Sequence, residues 1–267
     1  MIRGALGDRY KETLTNFRFR GKEPGRLENF SDAVFALAIT LLLISTSPPT
    51  NFDQIKIFIF DLIPFTLCIT LIILIWNEHF VFFYRYGLRN GAVIALNTLF
   101  LIIVLFYVYP LKFLTRLILI PISYLIDHDG LKNALMGSIK HEDMADLMII
   151  YGLGAASVFL VLVGMYRYAL KQADELELTV VEKFDTRMSI RANIFMAVIP
   201  IISVLIAIIF HSHEFAGLFA GLTYVIYTPV MMLHGKSVDR KRIKLLNPFS
   251  PTELMDGIVE NKDELEI

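Results

Sequence analysis

A carboxylate at the start of an apolar helix is the group in this sequence best placed to do chemistry. Gly25-Arg26-Leu27-Glu28-Asn29-Phe30-Ser31-Asp32 runs directly into Ala33-Val34-Phe35-Ala36-Leu37-Ala38-Ile39-Thr40-Leu41-Leu42-Leu43-Ile44. A membrane interior would not tolerate Asp32 without a partner. Donors are available at Arg26, at Trp76 and His79 in Trp76-Asn77-Glu78-His79, and at Asn97. Two chemistries are open to this set. Asp32 with Arg26, Trp76, His79 and Asn97 around it would be a satisfied structural network. Alternatively, Asp32 and His79 would serve a secondary transporter or proton pathway, which needs a continuous water path that the sequence does not display.

The same helix offers a second feature. At about 100° per residue, Phe30, Ala33, Val34, Leu37, Thr40, Leu41 and Ile44 fall on one stripe bearing a single hydroxyl, and Asp32 lies about 140° away from it. Such a stripe either packs on a neighbouring helix or lines a space, and periodicity alone does not choose. Other candidates carry less. His211, His213 and Glu214 could give a metal three ligands, or be polar residues at a membrane interface. Cys68 is the single cysteine, which excludes an internal disulfide and fits a small packing residue. There is no His-Glu-x-x-His or comparable nucleophile and base at membrane depth, so neither an enzyme nor a cofactor or metal is expected.

The elements that position these residues are membrane spans. Of 267 residues, 55% are hydrophobic and 19% charged, and the mean hydropathy is +0.59, an excess that calls for lipid. Leu62–Asn77, Gly91–Leu111, Leu147–Tyr166, Ala192–Phe210 and Phe215–Leu233 carry no Asp, Glu, Lys or Arg, and each is near the ~20 residues that cross a bilayer as a helix. Ala33–Pro48 makes a sixth span if the polar turn before it is also helical and buried. The reading is an all-α polytopic membrane protein of six transmembrane helices.

Lys and Arg divide unevenly between the two sides. The N-terminal arm, the second loop, the fourth loop and the tail hold 20 of the 25, which predicts that these segments and both termini are cytoplasmic. The remaining loops include an acidic patch at Asp127, Asp129, Glu142 and Asp143, which would either concentrate cations or simply be solvated. Met1 to Gly25 lacks the apolar core of a signal peptide.

The first helix is expected from Leu27 to Ser47, stopped by Pro48-Pro49, the second from Ile55 to Tyr84, and the third from Gly91 to about Tyr109, with bends at Pro110 and Pro121. The stretch Lys171–Arg187, with Leu176, Val180, Val181 and Phe184 on one face, is expected to continue the fourth span as a cytoplasmic helix. The organisation is a basic arm over 1–25, a six-helix domain over 26–234 and a polar tail over 235–267, with no internal repeat and no broken mid-membrane helix.

Arg26-x-x-x-Phe30-Ser31-Asp32 followed by an Ala/Ile/Leu/Thr helix resembles the signature of the transmembrane protein 175 family, potassium channels of prokaryotes and of animal endosomes and lysosomes. Trp76-x-x-His79 and the Leu96-Asn97 to Pro110 stretch are similar to that family's second and third helices. The resemblance covers Gly25 to Leu111. It implies a potassium-selective channel whose first helices surround the pore, with the signature residues tying the first helix to the second and third. It further implies an apolar constriction at Leu37, Leu41 and Ile44 and an ion-selecting hydroxyl ring at Thr40. One signature per chain implies a homotetramer in a prokaryotic plasma membrane, with potassium ions, the bilayer and itself as partners and no nucleic acid. The Thr-Val-Gly-Tyr-Gly filter of ordinary potassium channels is absent.

Overall fold

The computed structural model describes residues 17–44, 50–117, 143–213 and 215–246, and beyond a non-helical segment over 17–25 these residues are helix and connecting turns. The helices are α1 (Arg26–Ile44), α2 (Phe52–Tyr86), α3 (Gly91–Leu117), α4 (Met144–Lys171), α5 (Val180–Ile209), α6 (Ala216–Leu222) and α7 (Tyr227–Leu246), with a 3-10 turn at Thr223–Ile226 joining the last two. Six segments are long and apolar enough to span a bilayer, α6, the turn and α7 together making the sixth. The chain is a multi-pass integral membrane protein. Pro121, the Pro48-Pro49 pair, Glu214 and the acidic positions 127, 129 and 142 lie outside the described residues.

Local chemistry explains the boundaries. The Asn51 side chain accepts from the Gln54 amide (2.9 Å) and starts α2 three residues earlier than expected. Gly87, left-handed at φ 59°, ends it. α3 continues through Pro110 to Leu117, as in-helix proline permits where neighbouring helices supply compensation.

The expected cytoplasmic extension of the fourth span is not formed. α4 ends at Lys171, the chain turns over 172–179, and α5 begins at Val180. The cause is a capping box: Thr179 Oγ1 accepts from the Glu182 amide (3.2 Å) while Glu182 Oε2 accepts from the Thr179 amide (2.8 Å). Val180, Val181 and Phe184 therefore belong to the fifth helix. The sixth span is broken, contrary to expectation. Pro229 has no amide hydrogen and its ring crowds the carbonyl four residues back, at Val225, where the chain tightens into the 3-10 turn. Hydroxyls of Thr223 (2.6 Å) and Ser203 (2.9 Å) both donate to the Ala220 carbonyl at this break. α7 then runs on through Gly235 to Leu246, so the first residues of the expected polar tail are helical.

The antiparallel pair α4 and α5 forms the centre. α3 packs on α4, α1 and α2 pack on α3, and α6 and α7 pack on α5. Ring contacts knit the inner core, among them Phe82 edge-on to Tyr166 (5.3 Å) and His79 stacked on Phe100 (5.3 Å).

Residues 17–25 lie as an extended strap across the end of α2. The Arg20 and Gly21 amides donate to the Arg85 and Tyr84 carbonyls (3.2 and 3.1 Å), and Phe17 and Phe19 are buried. A Cβ at Gly21 would run into the Phe83 carbonyl, so only glycine allows this approach. The strap is fixed by Glu182, whose buried carboxylate accepts from Arg20 Nη1 and Nη2 (2.9 and 3.1 Å) and from the Arg18 amide (2.8 Å). Because the strap leads directly into α1, this clamp sets where α1 begins.

Candidate functional site

α1 has two unlike faces. Ser31, Phe35, Ala38 and Leu42 are buried against α2 and α3. On the other side Phe30 is 62% exposed, Leu37 50% and Ile44 71%, with Ala33 and Thr40 also exposed and Val34 and Leu41 half-buried. The stripe drawn from periodicity is thus, within one chain, an uncovered face.

Two separate polar links hold the buried face. In the first, Trp76 Nε1 donates to Asp32 Oδ1 (2.9 Å), and the Trp76 ring stacks on Phe80 (5.6 Å). In the second, His79 Nε2 and Asn97 Oδ1 are 2.7 Å apart, Asn97 Nδ2 donates to Ser31 Oγ (2.9 Å), and Ser31 Oγ donates to the Leu27 carbonyl (2.9 Å). His79, Asn97 and Ser31 are fully buried, and the second link joins α1, α2 and α3.

The expected single network around Asp32 is therefore divided. His79 and Asn97 serve Ser31, one residue and about 100° away on the helix, while Trp76 serves Asp32. Arg26 is exposed at the first position of α1. An indole N–H has no lone pair with which to accept a proton, so the Asp32–Trp76 contact cannot pass one onward. It can only hold the carboxylate in place.

Glu28 was not singled out in the sequence, yet its side chain is buried and Oε2 accepts from the Gly25 amide (2.7 Å). An acid three residues beyond a helix-starting glycine is the readable signal. Arg89 Nη2 approaches the same oxygen at 3.9 Å. Arg20 with Glu182 was likewise missed.

Along the exposed stripe, Thr40 Oγ1 donates its proton to the Ala36 carbonyl (2.9 Å). The hydroxyl hydrogen is used within the helix, which leaves the oxygen lone pairs free to accept or to face a cation. Leu37 lies one turn before it and Ile44 one turn after.

The opposite end of the bundle holds His211, whose Nε2 is 3.0 Å from Asp146 Oδ1. No group of three or more metal-ligating side chains occurs among the described residues.

Two arginines and further polar links meet at the other end. Arg85 Nη1 donates to Ser189 (2.8 Å), Arg242 Nε to Asp185 (3.1 Å) and Asn90 Nδ2 to the Tyr168 hydroxyl (2.7 Å). The starts of α1 and α5 and the ends of α2, α4 and α7 thus share one basic face.

A family model described as endosomal/lysosomal potassium channel TMEM175 matches residues 26–107, which take in α1, α2 and most of α3. The chain is 41% identical over 232 residues to a protein named Potassium channel from Marivirga tractuosa, covering 86% of this chain and 94% of that protein. It is similar to the crystal structure of a variant of the potassium channel MtTMEM175 bound to a nanobody–MBP fusion protein, with TM-score 0.74 and 41% identity over 84% of this chain and 97% of that one. A lysosomal potassium-selective channel TMEM175 homolog from Chamaesiphon minutus is 20% identical over 76% of this chain and 97% of that one, with TM-score 0.41.

Proposed function

The chain belongs to the TMEM175 family, and on that premise we propose that it is a potassium-selective cation channel, assembled as a homotetramer with the first helix of each subunit lining the pore. The observation that carries this reading is the uncovered stripe of α1. An apolar helix face with one correctly spaced hydroxyl, opposite a face pinned by one buried and one half-buried polar link, suits a wall around a narrow axis. Each chain supplies one such helix, so several chains must close the ring.

In this arrangement Leu37, Leu41 and Ile44 form the apolar constriction. A ring of leucine side chains excludes water, and an ion crossing it sheds hydration without replacement oxygens. Thr40 contributes the ring of oxygens beside it. Arg26, Phe30, Ser31, Asp32, Trp76, His79 and Asn97 set the position of α1. The basic face lies in the cytoplasm by the positive-inside rule, with both termini, the arm over 1–25 and the tail over 235–267 on that side. The membrane is the plasma membrane of a prokaryote.

Purified protein in liposomes tests the proposal. We expect cross-linking to stop at tetramer and flux to follow a potassium gradient in preference to sodium or proton gradients. A stable monomer, or flux driven by protons alone and abolished at Asp32 and His79, would contradict it.

A further inference from the structure

Beyond conduction, we propose that the outward face of α7 is a docking surface for anionic lipid headgroups of the leaflet on the basic side. α7 has no buried residue. Lys236, Arg240 and Lys244 recur every four residues and form one stripe, with Lys241 beside it, and all four are exposed. Asp239, also exposed, is the one acid within 236–246. Arg242 points about 160° away from the stripe and is engaged with Asp185 on α5. That contact fixes the rotation of the helix, so the stripe faces away from the protein body.

The depth is suitable. The same helix is the end of the sixth span, with exposed Met232 and Leu233 about one turn before Lys236. From Lys236 to Lys244 the helix rises about 12 Å. The first three cations therefore fall within about one Debye length of the apolar boundary, where attraction to anionic lipid is strong. Neighbouring α5 adds to the field. Phe195 lies against His234 and Asp185 against Arg242, so exposed Arg191 and Arg187 stand at about the levels of Lys236 and Arg240. Long Lys and Arg side chains with exposed apolar neighbours are built to place their heads among phosphates.

The probe is a bilayer of phosphatidylcholine with or without phosphatidylglycerol, and the readout is the lipid retained by purified protein, which needs no ion current. The native chain should enrich phosphatidylglycerol on the order of ten-fold at low salt and lose the preference at high salt. Combined Lys236→Gln, Arg240→Gln, Lys241→Gln and Lys244→Gln should bring the enrichment close to one-fold with the oligomer intact. A chain ending at Leu246 should keep the preference. Unchanged enrichment in the quadruple variant would overturn the proposal. So would loss of the oligomer, which would make this face a subunit contact, or loss of enrichment in the shortened chain.

Discussion

Trp76 and Asp32 are joined by one hydrogen bond of 2.9 Å from the indole N–H to Oδ1, which ties the second helix to the start of the first. Trp76→Phe keeps a ring against Phe80 and removes only the donor. Leaving Asp32 without that partner should cost about 1–3 kcal/mol, read as a lower thermal midpoint in detergent. Asp32→Asn should cost less, because its carbonyl oxygen still accepts from the indole. A larger loss in Asp32→Asn than in Trp76→Phe would show that another partner dominates.

Asn97 makes the corresponding link between Ser31 and His79. Truncating Asn97 to Ala removes two buried hydrogen bonds at once, to His79 Nε2 and to Ser31 Oγ, so destabilisation should exceed that of either partner's truncation. A double-mutant cycle of Asn97→Ala with His79→Ala should give a coupling of about 0.5–3 kcal/mol. Strict additivity would mean that the 2.7 Å contact contributes nothing to stability.

The strap makes a third test. Arg20→Ala leaves the buried Glu182 carboxylate without its cation, a change that typically costs about 3–5 kcal/mol. Arg18→Gln breaks the exposed pair with Glu177, 62% and 75% accessible, and a long contact with the Leu176 carbonyl (3.5 Å), and should cost under about 1 kcal/mol. Thermal unfolding of the two variants side by side should separate them clearly. Equal effects would argue that the strap is not held by Glu182.

Hydropathy made the spans legible, because membrane helices must satisfy their backbone internally and cover it with apolar side chains. The faces of α1 were also legible at 100° per residue. What escaped depends on partners far apart in the chain or on one-residue differences. Nothing in the sequence assigns Asn97 to Ser31 rather than to Asp32, since both stand at the start of the same helix. The turn at 172–179 was overlooked although Thr179-x-x-Glu182 signals a helix start, because Leu176, Val180, Val181 and Phe184 also fit one continuous face. The break before Pro229 follows from proline chemistry, but an uninterrupted apolar run concealed it.

The central claim is that the α1 stripe lines a potassium-selective pore, and reversal potentials under mixed potassium and sodium gradients test it most directly. The native channel should reverse close to the potassium equilibrium potential. Thr40→Val keeps the shape and removes the oxygen, so its reversal should move toward that of a nonselective cation pore while the proposed tetramer persists. Leu37→Ala, which widens the constriction, should raise the current and reduce discrimination. Unchanged permeability ratios in both the Leu37 and the Thr40 variants would contradict the account and put the selective pore somewhere other than α1.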